Sequence, residues 1–314
     1  MHYSVIIPLY NKAPYISQTL QSIVDQTEWP NEIVVVDDKS TDEGADLVAT
    51  FFREAPAEFR RKVQFKLVRN AVNSGIGVTR NTGLDHSTGD VITFLDGDDL
   101  YDPHFFECMK NLFETHGADM VLFRVKLFPS GIAFPNFGAV ERFHTQVTHH
   151  AYRMKEPLKV ATSHQYVFGI GSNAVIRRKW MATERFSETA RFYEGIDCWY
   201  RQMRQIAAVN GAIFHLQGSY LFVREVSGSA SRSKFSHWNE PVFPPLLHHL
   251  DKSTCIHDRN MRGLMRGRWI VHSLNNLAST RQKIQFIWHF RRHFLRQGIY
   301  GIRRARHFWL KGMD

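Results

Sequence analysis

Three cysteines in 314 residues, Cys108, Cys198 and Cys255, are few, odd in number and without CxxC spacing. They argue against a disulfide framework and against structural zinc, and they fit a reducing compartment. No apolar run approaches the roughly 18 residues a membrane span requires. Met1-His2-Tyr3 leads straight into an apolar strand, without a basic n-region or a small-residue cleavage site. No secretory leader is therefore expected, and the expected location is cytoplasmic. Low-complexity tracts are absent as well, and 43% hydrophobic with 22% charged residues is a globular composition. Acid is missing from the C-terminal region: between Arg259 and Lys311 there are 13 Lys and Arg and no Asp or Glu. The net charge of +10 belongs to that segment, because residues 1–258 hold 27 basic against 29 acidic residues, Asp314 being the remaining acid.

The first 125 residues alternate between two periods. "YSVIIPL" (3–9) and "EIVVVDD" (32–38) are continuous apolar, β-branched runs, as expected of strands buried on both faces. "APYISQTLQSIVDQ" (13–26) between them has helical spacing, and "STDEGADLVATFFRE" (40–54) opens with Ser40 and Glu43 in capping-box spacing. "VQFKLV", "GVTRNTGLDHS", "DVITFLD", "PHFFECMKNLFETH" and "DMVLFRV" continue the alternation, with Asp102-Pro103 as N-cap and N1 of the last helix. Such a pattern implies an α/β fold with a mainly parallel sheet covered on both faces, whose ligands bind at the carboxyl ends of the strands. Polar clusters stand at those ends: Asn11 after the first strand, Asp37-Asp38 after the second, Asp96-Gly97-Asp98-Asp99 after the fourth. From 126 to about 238 the pattern is less regular, with a helix expected over 194–209. "NEPVFPP" (239–245) reads as a linker into a helical extension over 246–314. The expected division is thus 1–125 and 126–238 as two halves of one domain, followed by 239–314.

Four carboxylates within seven residues repel one another unless something positive joins them. An EF-hand loop fails because Leu100 and Tyr101 occupy its fifth and sixth positions, the latter requiring Gly. An aspartyl-phosphate phosphatase fits Asp96-Gly97-Asp98 literally, but Leu100 stands where Thr or Val is usual and the strand is not an early one. A divalent cation shared between carboxylate and nucleoside diphosphate accounts for the crowding best.

Four stretches, "SVIIPLYN" (4–11), "VVVDDKSTD" (34–42), "NSGIGVTRNTGL" (73–84) and "FLDGDD" (94–99), occur in that order and spacing. Through them the chain resembles the inverting family 2 glycosyltransferases of GT-A fold, strongly over 3–125 and weakly over 165–235. The resemblance implies a nucleotide-sugar site in which Pro8, Tyr10 and Asn11 line the base pocket and Asp38 accepts a hydrogen bond from uracil. Arg80 would sit near the nucleotide sugar, Asp96 near the ribose, and Asp98 would hold Mn²⁺ or Mg²⁺. The general base would be Asp197 in "FYEGIDCWYRQ" (192–202), with Glu194 as the alternative; Ile196 replaces the Glu common beside that Asp. In "YLFVREVSGSAS" (220–231) Arg224, Ser229 and Ser231 fit a family pattern whose His is here Val226. Arg224 would then serve as a phosphate contact.

The tail "QFIWHFRRHFLRQGIYGIRRARHFWLK" (285–311) puts Phe286, Phe290 and Phe294 on one helical stripe beside Arg291, Arg292 and Arg296. An anionic membrane surface is the expected partner. Packing on the rest of the chain, or on a second subunit of a homo-oligomer, is the alternative; a nucleic-acid partner is disfavoured because no nucleic-acid module accompanies the cations. The expected activity is transfer of a sugar from a UDP-linked donor to a glycan or lipid-linked acceptor in bacterial polysaccharide or lipopolysaccharide synthesis, at the inner face of the cytoplasmic membrane. Two alternatives stand beside it. A nucleotide-sugar-forming nucleotidyltransferase would want a Gly-rich basic loop where "PLYNKAP" (8–14) stands, and Ile196 and Val226 leave open a degenerate sugar-nucleotide-binding module.

Overall fold

A computed structural model describes residues 1–134, 143–162, 171–190, 192–226 and 234–298. The chain divides into two compact units, Met1–Glu225 and Val226–Asp314. In the first unit β1 (Tyr3–Leu9), β2 (Glu32–Asp37), β3 (Gln64–Arg69) and β4 (Val91–Phe94) alternate with α1 (Ala13–Val24), α2 (Gly44–Glu54), α3 (Ala57–Lys62) and α4 (Ile76–His86). The short β5 (Leu100–Tyr101) and α5 (Phe105–Lys110) follow, then β6 (Met120–Phe128), β7 (Ala133–Phe134), β8 (His144–Gln146), β9 (Ala151–Met154), α6 (Pro157–Ala161), β10 (Ala174–Arg177), α7 (Glu194–Ala208) and β11 (Ile213–Arg224).

These strands form one sheet in the order β3-β2-β1-β4-β10-β6-β11-β9-β8, with β5 on β11 and β7 on β6. β3, β2, β1 and β4 are mutually parallel, as are β6 and β11, whereas β10 is antiparallel to both its neighbours. Every residue of β1 and β2 is buried, which is why their sequences are continuously apolar instead of alternating. Ile16, Leu20 and Ile23 of α1 close one face of the sheet, and Val48 and Phe52 of α2 lie buried in the same core.

Two local expectations change. α2 starts at Gly44 with Glu43 before it, so Ser40 caps nothing: its N–H donates to Asp37 Oδ1 at 3.0 Å and its hydroxyl accepts from the Asn11 N–H at 3.1 Å. α5 starts at Phe105, but Asp102 does turn the chain into it, its Oδ1 accepting the His104 N–H at 3.0 Å.

The second unit contains α8 (Pro245–His249), α9 (Ile256–Asn276) and α10 (Thr280–His289), with a further helical stretch over 291–298. It begins ahead of the proline-rich linker because Phe235 pairs with Leu277 and the Trp238 ring lies 4.5 Å from that of His289. Ser279 caps α10, accepting the Gln282 N–H at 3.3 Å. The phenylalanine stripe does not face outward. Phe286 is fully buried, and the Trp269 ring lies 5.1 Å from Phe286 and 4.8 Å from Phe290, so the stripe builds the core of this unit. Residues 299–314 of the tail, and Ser229 and Ser231, lie outside the described residues. Among the described residues no helix is long and apolar enough to cross a membrane.

Candidate functional site

β2, β1 and β4 are adjacent and parallel, so their carboxyl ends open onto one edge of the sheet. Tyr10 and Asn11 follow β1, Asp38 follows β2, and Asp96 to Asp99 follow β4 after the buried Leu95. Sequence-distant polar groups are thereby collected in one place.

At the first end, Pro8 is buried inside β1, so its side chain is part of the strand's packing and not of an open pocket wall. Tyr10 is 44% exposed. Asn11 sits at φ 51° and its Oδ1 accepts from the Thr41 N–H at 2.8 Å, tying the β1 end to the turn after β2.

Asp38 is buried and already occupied. Its Oδ1 accepts from Asn70 Nδ2 at 2.8 Å and the Ser74 N–H at 2.9 Å, and its Oδ2 from the Gly75 N–H at 2.8 Å. Gly75 has φ 88°, a conformation that suits glycine at the entry to α4. Asp38 thus shapes the 70–75 turn with most of its acceptor capacity, as Asp37 shapes the turn at Ser40.

Arg80 is 2% exposed and bridges two carboxylates, Nη2 to Asp96 Oδ1 at 2.8 Å and Nη1 to Glu194 Oε1 at 2.7 Å. Burial alone would lower the basicity of this guanidinium, but the charges of Asp96 and Glu194 outweigh it and the pKa rises. Gly171 makes the room: a Cβ there would stand 2.4 Å from Nη1. The other oxygen of Asp96 accepts from Ser172 at 3.3 Å. Asp96 is therefore held toward Arg80 and Ser172 and remains partly exposed.

Asp98 forms an ion pair with Lys12 Nζ. Asp99 is buried, and burial followed by the charges of Asp96 and Asp98 pushes its carboxyl well above the ordinary carboxylate range. Arg224, the last residue of β11, binds this loop from the far side of the chain. Its N–H donates to Asp99 Oδ1 at 3.0 Å, its Nε to the Asp98 carbonyl at 3.1 Å, and its Nη2 to Gln18 at 2.8 Å. The pairing of β5 with β11, Leu221 opposite Tyr101 and Phe222 opposite Leu100, delivers Arg224 there.

Among the described residues no three His, Cys, Asp or Glu side chains cluster as a metal cage. The donors fit a hard divalent ion held by Asp98 with diphosphate and water completing the shell. Two observations accord with this: a cationic side chain already rests on Asp98, and burial, then the charges of Asp96 and Asp98, raise the pKa of the neighbouring Asp99 carboxyl.

The two carboxylates of α7 separate. Glu194 joins the Arg80–Asp96 cluster. Asp197 is fully buried, and its Oδ2 accepts from Arg201 Nε at 3.1 Å and Nη2 at 2.9 Å. Arg201 also pairs with Glu184, and burial lowers its pKa. Ile196, which stands in for the usual Glu, is a buried apolar residue. Lys12, Gly171, Ser172 and Arg201 are contributors that motif spacing missed, although Lys12 lies inside "PLYNKAP" and Arg201 inside "FYEGIDCWYRQ".

Residues 4–183 match the sequence profile of Glycosyl transferase family 2. The fold and the matched residues cover more than half of the chain, and it belongs to that family. An uncharacterised glycosyltransferase of Nostoc sp. is 37% identical over 115 residues, 37% of this chain and 34% of that protein. TarS of Staphylococcus aureus, a poly(ribitol-phosphate) β-N-acetylglucosaminyltransferase, is 32% identical over 130 residues, 40% of this chain and 21% of that protein. The matches thus span about a third or less of these curated relatives. The crystal structure of TarS 1–349 with UDP-GlcNAc shares the fold, with a TM-score of 0.57 at 20% identity over 99% of this chain and 76% of that one. A mannosyltransferase of Pyrobaculum calidifontis, solved with GDP-Man and Mn²⁺, has a TM-score of 0.54 at 16% identity over 87% of this chain and 71% of that one.

Proposed function

We propose that the chain moves a sugar from a nucleoside-diphosphate donor, UDP in first place, to a hydroxyl of a glycan or lipid-linked acceptor, with inversion. The observation that carries this reading is the convergence of Tyr10, Asn11, Asp38, the Arg80–Asp96–Glu194 bridge and Asp98 at the carboxyl ends of three adjacent parallel strands. Tyr10 offers an exposed ring to the base, while Pro8 contributes only through the strand and Asp38 through its remaining lone pair. Asp96, oriented by Arg80 and Ser172, is set to accept from ribose hydroxyls. Asp98 would hold Mn²⁺ or Mg²⁺, which when bound offsets the charge gathering on the departing diphosphate. Lys12 and Arg224 bring two more cations to the same loop.

Asp197 would take the proton of the acceptor hydroxyl while its oxygen bonds to the anomeric carbon and the bond from that carbon to the diphosphate oxygen breaks on the opposite face. Arg201 orients this carboxylate through Oδ2. A second reading gives the base role to Glu194, favoured by the full burial of Asp197 and by the place of Glu194 in the cluster. The name of TarS, a transferase onto poly(ribitol-phosphate), supports a polymeric acceptor of the kind made in bacterial surface-polysaccharide synthesis. The basic second unit supports work at the inner face of the cytoplasmic membrane.

The test is a thermal-shift and calorimetric panel of UDP-, GDP- and dTDP-sugars with Mn²⁺, followed by release of the nucleoside diphosphate. A UDP-sugar should stabilise the protein most, and Asp98→Asn should abolish the Mn²⁺-dependent part. Absence of stabilisation by any nucleoside diphosphate overturns the proposal.

A further inference from the structure

The face of α10 opposite Phe286 is open to solvent. Arg281, Ile284 and Trp288 follow one another at i, i+3 and i+7, with Ile287 beside them; Ile284 is 62% and Trp288 71% exposed. In the next helical stretch Leu295 is 68% exposed. Arg291 lies 5.1 Å over the Trp288 ring and donates to the Trp288 carbonyl at 3.0 Å, so a cation and an indole share the surface. Arg292 and Arg296 are exposed in the same stretch, and no carboxylate occurs between Arg259 and Lys311.

We infer that this face, and not the phenylalanine stripe, is a docking surface for an anionic lipid bilayer. Charge selects the occupant. A two-fold pairing of this chain would set the patch against itself and oppose cation to cation with no acid to relieve them. A nucleic acid would leave the isoleucines, Trp288 and Leu295 without apolar contact. An anionic bilayer answers both halves: phosphate headgroups meet the arginines, and the headgroup–acyl boundary receives the indole and the aliphatic side chains. Phe286 on the inner side of α10 packs against Trp269 of α9, which keeps the outer side of α10 presented. The inference does not depend on the identity of the nucleotide sugar.

The full chain should float with vesicles of phosphatidylcholine and phosphatidylglycerol and not with phosphatidylcholine alone. Trp288→Ser/Leu295→Ser, two exposed positions, should weaken that binding about tenfold or more while thermal stability and nucleotide-sugar turnover stay at the parent values. Arg281→Gln/Arg291→Gln/Arg292→Gln should weaken it and flatten its salt dependence. Equal flotation of the Trp288/Leu295 variant overturns the inference, as does equal binding of the parent chain to neutral vesicles. So does a dimer that this variant converts to monomer without any vesicle binding. Flotation of the parent chain with anionic vesicles but no turnover of any nucleotide sugar would instead count against the transferase reading alone.

Discussion

Arg80 joins Asp96 to Glu194 through separate guanidinium nitrogens, so one buried cation couples the loop after β4 to the first turn of α7. Arg80→Met leaves two carboxylates facing each other without their counter-ion. The expected cost is about 3 kcal/mol, the low end for a broken buried pair because Asp96 keeps some water. Nucleotide-sugar affinity should fall with it, and Arg80→Lys should recover only part of each because an ammonium lacks the fork. Gly171→Ala should act through the same group, so its effect and that of Arg80→Met should be less than additive by denaturant unfolding.

Lys12 pairs with Asp98 and would compete with a divalent ion bound there. Lys12→Gln should tighten Mn²⁺ binding about threefold to fivefold, the modest gain expected from removing a partly solvated ion pair. Titration by electron paramagnetic resonance without nucleotide reads this directly. Unchanged or weaker Mn²⁺ binding would show that Lys12 does not oppose the metal.

For the base, Asp197→Asn should lower kcat by about 10²-fold or more with the nucleotide-sugar Kd unchanged, and should remove the acidic limb of the pH–rate profile. Glu194→Gln should instead weaken nucleotide-sugar binding through Arg80. If Glu194→Gln loses the acidic limb while Asp197→Asn keeps it, the second reading is right.

His215 supplies a pH effect on stability. Burial, then His144 and Arg124, hold its imidazole well below the ordinary value of 6.5. Above 6.5 neither state binds the proton. As pH falls below 6.5 the unfolded chain takes it up and the folded chain does not, so stability declines. The slope from this one group approaches about 1.4 kcal/mol per pH unit. Urea unfolding at pH 7.5 and 5.5 should show a smaller difference for His215→Gln than for the parent chain, whatever the variant's absolute stability.

Much of the first half of the chain was legible because β1 and β2 are buried on both faces and must be apolar throughout. The order of motifs then fixed which strand ends meet. β10 was not legible: four residues, Ala174–Arg177, carry too little pattern, and their antiparallel insertion between β4 and β6 departs from the alternation. Helical spacing grouped Phe286, Phe290 and Phe294, whose rings do pack together although α10 ends at His289, but periodicity cannot say which side faces inward; Trp269 of α9 decided it. Burial of Asp197 and the engagement of Asp38 also depend on partners far away in sequence, Arg201 being the exception at i+4. Asp99, which had no role in the sequence, proves to be the acid that Arg224 holds through its backbone.

That contact with Arg224 spans 125 positions of sequence, and it has a consequence for the order of folding. β11 must reach β6 and β5 before Asp98 and Asp99 receive their two hydrogen bonds from Arg224, so the loop is completed by some of the most sequence-distant pairings in the unit. A fragment ending at Val125 would contain all four motifs and most of their strands, yet it would emerge without the latch. Residence of the nucleotide should therefore be a late acquisition during synthesis, gained only after the ribosome has released β11.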